Sequence, residues 1–273
     1  MGQTSEPSMR GLKGKKAIVT GGAQGIGRSC VEAFLEHGVA VTFGDLEEDT
    51  ASKTADELSP KGEIHFVSGD MADEKTCLEL VQKANELMCG IDFLVNNAFS
   101  FTAAGPDATR EEWHRSVNAG PIAFATMIQH VAPIMKERGG GSIVNIASIS
   151  AHIAQPGRWT YNASKGAVLQ ITRCAALDFG ADNIRVNTVS PGWIWTRETL
   201  RAADFDKEKW APEWAKYHML RRMGEPSEIG SAVMFLCSDE ASFVTGSELP
   251  VDGGYLGLGS EGLGDTAEYA GSS

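Results

Sequence analysis

Lys15 to Thr20 is a short apolar run that ends in a glycine cluster, Gly21-Gly22-Ala23-Gln24-Gly25-Ile26-Gly27. Beyond it Cys30, Val31, Phe34 and Leu35 recur with helical spacing. The run reads as a strand, the cluster as a tight turn, and the remainder as a helix. Gly38 stops that helix, and Val39 to Gly44 supplies a second apolar strand closed by Asp45. About thirty residues are thereby committed to one βαβ unit.

The alternation continues. Helical patterning near Glu48 to Leu58 leads to a strand at Ile64 to Val67, and a helix at Asp73 to Met88 leads to a strand at Ile91 to Val95. A long helical stretch from about Arg110 to Arg138 precedes a strand at Ser142 to Ala147, and a helix at Trp159 to Phe179 precedes one at Ile184 to Val189. Short apolar strands divided by helices imply a parallel sheet with both faces covered. After Gly192 the rhythm breaks into a segment rich in tryptophan and charge, over about 193–224, before a helix near Pro226 to Cys237 and a last strand near Glu248 to Val251. No repeat or Pro/Ser linker divides the chain. The reading is a single α/β domain over 12–256 with a substrate loop in that late segment, preceded by a polar tail over 1–11 and followed by a glycine-rich, acidic tail over 257–273.

Charge narrows the partners. With 36 acidic against 24 basic side chains the chain carries a formal −12, and it has no Lys/Arg run to reverse that field. Nucleic acid and anionic membrane surfaces are therefore disfavoured. Five widely spaced cysteines without a CxxC pair suggest neither a disulfide framework nor a metal site, and they read as buried free thiols. The polar start has no secretory core, and no apolar run approaches the ~20 residues of a membrane span. The expected setting is the cytoplasm, and the expected partner is a small molecule.

The glycine cluster follows a strand and opens a helix, and Asp45 stands eighteen residues past Gly27 at the tip of the next strand. Glycines let the backbone approach a pyrophosphate while the helix N-terminus offers free N–H groups. Asp45 can then accept hydrogen bonds from adenosine ribose hydroxyls. A 2′-phosphate beside it would set like charges in contact, which favours NAD over NADP.

Thr20-Gly21-x-x-x-Gly25-x-Gly27, Asn96-Asn97-Ala98, Ser148, Tyr161-x-x-x-Lys165 and Pro191-Gly192 occur in that order over roughly 12–254. Together they resemble the short-chain dehydrogenase/reductase family. The resemblance implies a doubly wound, Rossmann-type sheet of seven parallel strands and a nicotinamide dinucleotide held by Gly21, Gln24, Gly25, Ile26, Gly27, Asp45 and Leu46 at one end. It also implies contacts from Asp70 and Met71 at the adenine, from Asn97 and Ala98 at the ribose, and from Tyr161, Lys165, Pro191, Ile194 and Thr196 at the nicotinamide half. A homotetramer, or at least a dimer, built through the helices of Asn118 and Tyr161 and the last strand is a further implication. One position departs from the family pattern: Phe99 stands where glycine usually follows Asn-Asn-Ala, so a ring there narrows the site and alters the local backbone path.

Tyr161 and Lys165 are four apart in a helical stretch and share one face. A fixed ammonium and a positive nicotinamide ring favour phenolate, making Tyr161 the proton-transfer residue and giving Lys165 a second task at the nicotinamide ribose. Ser148, thirteen residues before Tyr161, orients and polarises the substrate oxygen. Ser150 is its near neighbour, but the family spacing selects Ser148. Asn118 matches the family position whose carbonyl binds a relay water, and Gly120-Pro121 directly after it predict a kink.

His152, Gln155, Arg158 and Trp159 on one loop and Trp193, Trp195 and Arg197 on another are candidate substrate contacts. Flat aromatic faces with polar heads suit polyhydroxylated rings, and an arginine suits an acid group. The tryptophans equally suit a core or an interface. The favoured reading is NAD-dependent oxidation of a secondary alcohol or hemiacetal on a sugar, polyol or cyclitol. A reductase of 3-oxoacyl thioesters and a non-catalytic dinucleotide-binding protein are the alternatives.

Overall fold

The computed structural model describes residues 9–260 and 262–263. The first eight residues and most of the expected C-terminal tail lie outside the described residues. Seven strands, β1 (Lys16–Thr20), β2 (Ala40–Asp45), β3 (Ile64–Ser68), β4 (Phe93–Asn96), β5 (Gly141–Ile146), β6 (Ile184–Pro191) and β7 (Glu248–Val251), form one sheet in the order β3-β2-β1-β4-β5-β6-β7. Every pairing is parallel. The strand order reverses between β1 and β4, and a crevice opens at the carboxyl ends of strands at such a switch point.

Both faces of the sheet are apolar, which is why the strands read as continuous hydrophobic runs. Ala17, Val19, Val41, Phe43 and Val144 point into one layer, closed by α1 (Gly25–Glu36), α2 (Glu48–Leu58) and α9 (Pro226–Cys237) through Phe34, Ala51 and Val233. Ile18, Leu94, Ile143 and Val186 point into the other. There α3 (Glu74–Met88), α5 (Ala123–Glu137) and α6 (Trp159–Phe179) supply Leu80, Met127, Val131 and Ala175.

The expected long helix over 110–138 is interrupted. Helix α4 (Arg110–Val117) runs into a π-type turn, Asn118–Ile122, before α5 begins. Gly120 leaves helical geometry (φ −123°, ψ −111°), and Pro121 has no N–H to return to the preceding turn. The late segment holds two short helices that periodicity did not disclose, α7 (Arg197–Ala202) and α8 (Lys207–Ala215). Each is started by a cap: Thr196 with Thr199 at α7, and Asp206 accepting from the Lys209 N–H at α8.

At the opposite end of the strands from the crevice lies a buried carboxylate. Asp92 accepts from Lys15 Nζ at 3.2 Å, from the Lys16 N–H at 3.0 Å and, through both carboxylate oxygens, from Arg138 Nη2 at 3.1 and 3.2 Å. It ties the start of β1, the start of β4 and the end of α5 into one knot. The chain docks ahead of residue 12, since the Arg10 carbonyl accepts from the Asp239 N–H and its guanidinium pairs with Glu240. All five cysteines are free; Cys30, Cys77 and Cys237 are buried, but Cys89 and Cys174 are exposed on the outer faces of the molecule, against the expectation of burial. Among the described residues no helix is long and apolar enough to cross a membrane.

Candidate active site

A cleft of about 600 Å³ lies at the carboxyl ends of the strands. Its floor at one end is the turn between β1 and α1. A Cβ on Gly27 would overlap the Gly21 carbonyl oxygen, so only glycine lets the helix start this close to the strand. Two hydrogen-bond sets hold that turn to the end of β4. Thr20 Oγ1 accepts from the Asn97 and Ala98 N–H groups at 2.9 and 3.0 Å, and Asn97 Nδ2 donates to the Thr20 and Gly21 carbonyls at 3.0 and 3.1 Å. Gly21, Gln24, Gly25 and Ile26 line the cleft with Asp45, Leu46, Asp70, Met71, Asn97 and Ala98, while Gly27 acts from behind the turn.

The Asp45 carboxylate accepts from the Ala23 N–H at 2.9 Å and from the Glu47 N–H at 3.2 Å. A carboxylate has about four lone-pair positions, so acceptor capacity remains on the side facing the cleft. The guanidinium groups that line this end of the cleft are paired. Arg197 holds Glu47 through two nitrogens at 3.0 and 2.7 Å, and Arg115 holds Asp70. The Arg197 hydrogen bond holds the Glu47 carboxyl down to about 2. Burial raises the Asp70 carboxyl, but hydrogen bonds from Arg115 and the Ala72 N–H bring it below its ordinary value. The residues present fit the adenosine half of a nicotinamide dinucleotide.

The cleft continues to Pro191, Ile194 and Thr196 on one side and to Ser148, Tyr161 and Lys165 on the other. Ser148 follows β5, and its Oγ accepts from the Ser150 N–H at 3.1 Å. Ser150 Oγ donates to Gln155 Oε1 at 2.7 Å, which leaves Ser148 as the hydroxyl directed to the site. Lys165 Nζ donates to the Ile146 carbonyl at 2.8 Å, and burial lowers it to about 7. Burial raises the Tyr161 phenol, whereas the Ser148 side chain and the Arg158 charge lower it. Lys165 Nζ lies 5.8 Å from the centre of the Tyr161 ring. The Lys165 ammonium itself is dehydrated and bound to a carbonyl.

Two phenylalanines frame this pair. Phe99 meets the Tyr161 ring edge-on with centroids 5.4 Å apart, and Phe101 lies 4.8 Å from it. The departure at Phe99 was legible in the sequence; Phe101 carried no signal, because a lone aromatic in a loop has no period. Arg158 stands over the Phe101 ring at 5.7 Å, lines the cleft, and pairs with no carboxylate among the described residues.

The remaining candidates separate. Gln155 and Trp193 line the cleft, joined by Trp214 from α8, which packs on Trp193 at 5.2 Å. Trp195 does not line it; it is buried with Met223 and Ala203 inside the late segment. His152 is held by Glu248 at 2.7 Å, a partner 96 residues away on β7, and does not line the cleft. Trp159 points to solvent at 55% exposure. Arg197 lines the adenosine end, held by Glu47, instead of the catalytic end. The Asn118 carbonyl accepts from the Ala123 N–H, and it is Ala119 that reaches the cleft. Chemically, two hydroxyls and an amine around one cavity can grip an oxygen and exchange a proton with it beside a pyrophosphate-binding turn.

Residues 21–256 match the family model described as enoyl-(acyl carrier protein) reductase. The chain is 38% identical over 252 residues to the NADP-dependent (R)-specific alcohol dehydrogenase of Lentilactobacillus kefiri, covering 89% of this chain and 97% of that protein. It is also 38% identical to the 3alpha-hydroxysteroid dehydrogenase of Mediterraneibacter gnavus, with 89% and 97% covered. Its fold superimposes on L-sorbose reductase from Gluconobacter frateurii, solved with NADPH and L-sorbose, with a TM-score of 0.88 at 29% identity, covering 92% of this chain and 99% of that one.

Proposed function

Because the chain belongs to the short-chain dehydrogenase/reductase family, whose members act as oxidoreductases on alcohols and ketones, we propose that it oxidises a secondary alcohol or hemiacetal of a sugar, polyol or cyclitol with NAD. The observation that carries this reading is the convergence of Ser148, Tyr161 and Lys165 on the cleft that begins at the Gly21 to Gly27 turn. Asp45, with acceptor capacity left and no unpaired cation beside it among the described residues, supports NAD. Gly21, Gln24, Gly25, Ile26 and Leu46 would hold the adenosine and pyrophosphate half with Asp70 and Met71. Asn97, Ala98, Pro191, Ile194, Thr196 and Lys165 would hold the other half. A bound nicotinamide dinucleotide supplies the hydride acceptor.

The protein's own residues handle the oxygen and the proton. Ser148 hydrogen-bonds the substrate oxygen and fixes its distance from Tyr161. In oxidation the Tyr161 phenolate takes the hydroxyl proton as the carbon's hydrogen departs with its electron pair; in reduction the phenol returns that proton to the oxygen. Lys165 secures the nicotinamide ribose and stands beside the phenol. Asn118 contributes the turn that presents Ala119 and Gly120 beneath Phe99. At the far end Trp193 and Trp214 offer flat faces to a ring, Gln155 offers a polar head, and Arg158 suits an acid group on the same substrate. The enzyme works in the cytoplasm as a homo-oligomer, a tetramer or a dimer, and the exposed Leu177, Phe235 and Phe243 supply apolar surface for assembly.

The test is a panel of sugars, cyclitols, apolar cyclic alcohols, hydroxysteroids and 3-oxoacyl thioesters, assayed with NAD(H) and NADP(H). Turnover of the polyhydroxylated set with NAD is expected. Turnover confined to the apolar set overturns the carbohydrate reading, and faster rates with NADP overturn the assignment to Asp45. Dinucleotide binding without any turnover favours a non-catalytic protein.

A further inference from the structure

Phe99 stands where the resemblance expects glycine, and its ring touches three parts of the site at once. Its face lies 4.1 Å from Lys165 Nζ, well inside the range of a cation–π contact. It meets Tyr161 at 87°, edge to face. On its far side the ring packs so closely on Gly120 that a Cβ at that position would overlap it. The lysine has three N–H donors and gives one to the Ile146 carbonyl. Phe124, 5.9 Å away, adds a second aromatic wall.

We propose that Phe99 is a positioning residue for Lys165: the ring face holds the ammonium beside Tyr161, and the ring edge, seated on Gly120, fills the space between that ammonium and the turn at Asn118. The inference rests on Lys165 serving the reaction proposed above, and it adds the residue that fixes where its charge sits. Glycine at 99 would leave a polar void next to the ammonium, large enough to admit water. A side chain at 120 would drive the ring off the lysine. Phe99 and Gly120 are thus one device, in which the missing side chain makes room for the added ring.

Among the described residues Tyr161 is the titratable group that faces Lys165; Phe99 from the loop after β4, Phe124 from α5 and the Ile146 carbonyl from β5 are neutral. The aromatic face stabilises the charged form, while the bulk of the ring excludes water and opposes it. Two substitutions separate these effects. NMR titration of lysine side chains in the dinucleotide-free protein, with Lys165 assigned by its loss in Lys165→Met, reads the midpoint directly. Phe99→Leu keeps the bulk and removes the face, so the midpoint falls, with a three- to tenfold larger acid dissociation constant. Phe99→Gly admits water and moves it upward, and Phe99→Tyr retains the native value. In turnover with NAD, the ascending limb of the kcat profile of Phe99→Leu moves to higher pH, because a more readily neutralised lysine favours phenolate less, while KM for the alcohol stays within about twofold. An unmoved midpoint in Phe99→Leu, or a fall in Phe99→Gly, overturns the proposal. Because the titration is read without dinucleotide or substrate, failure of the catalytic reading leaves this test standing, and Phe99→Gly keeps it decisive should Phe99→Leu fail to fold.

Discussion

At the scale of single residues, the phenol of Tyr161 sits in a buried place that resists its ionisation, and the chain answers with Ser148 and Arg158. A cation favours phenolate, so losing it raises the phenol's pKa. Arg158→Gln should therefore move the ascending limb of the oxidation pH profile, read as kcat/KM, to higher pH. Arg158→Lys should keep it in place. Tyr161→Phe removes the proton acceptor altogether; a 100- to 10 000-fold loss in kcat/KM is the usual size for such a group. Dinucleotide affinity, followed by fluorescence, should survive that change, and full turnover by the variant would reject the assigned acid/base.

Elements meet across the cleft through the Glu47–Arg197 ion pair. Glu47 follows β2 and Arg197 opens α7, and their two-point contact joins walls 150 residues apart in sequence. Both side chains are more than a third exposed, so the pair adds at most about 1 kcal/mol to folding. Its effect belongs to the opening of α7. The Glu47 carboxyl is held down to about 2, so the contact is complete above the ordinary glutamate range and is lost only as pH falls toward 2. Glu47→Gln should speed dinucleotide release several-fold in stopped-flow measurements. The freed guanidinium beside Asp45 should also raise the ratio of NADP to NAD turnover.

The whole molecule divides its labour along the strands. Chemistry gathers at their carboxyl ends, while Asp92 at the other end knots β1, β4 and α5 with two cations and a backbone N–H. The carboxylate is buried but Lys15 and Arg138 are 45% and 30% exposed, so its loss forfeits hydrogen bonds to a charged group without stranding a buried charge. Asp92→Asn should lower unfolding free energy in urea by about 1.5 to 3 kcal/mol. Activity per folded molecule should hold, because the knot lies a strand's length from Tyr161. An equal loss of kcat would show that the two ends are coupled.

Periodicity made every strand and long helix readable, because the burial of a face leaves its mark at each turn or pleat of the local chain. Glycine spacing, the Tyr161 and Lys165 pair on one helical face, and the kink announced by Gly120-Pro121 belong to the same local information. The short helices α7 and α8 escaped it, being started by caps on a segment too brief for a period to repeat. Tertiary structure alone decided which polar side chains remained available. His152 went to Glu248, Arg197 to Glu47 and Trp195 to the interior, while Arg158, over Phe101, has no carboxylate partner among the described residues. Such choices turn on distances between residues far apart in the chain, and a charge or ring is free for substrate only when no partner folds within its reach.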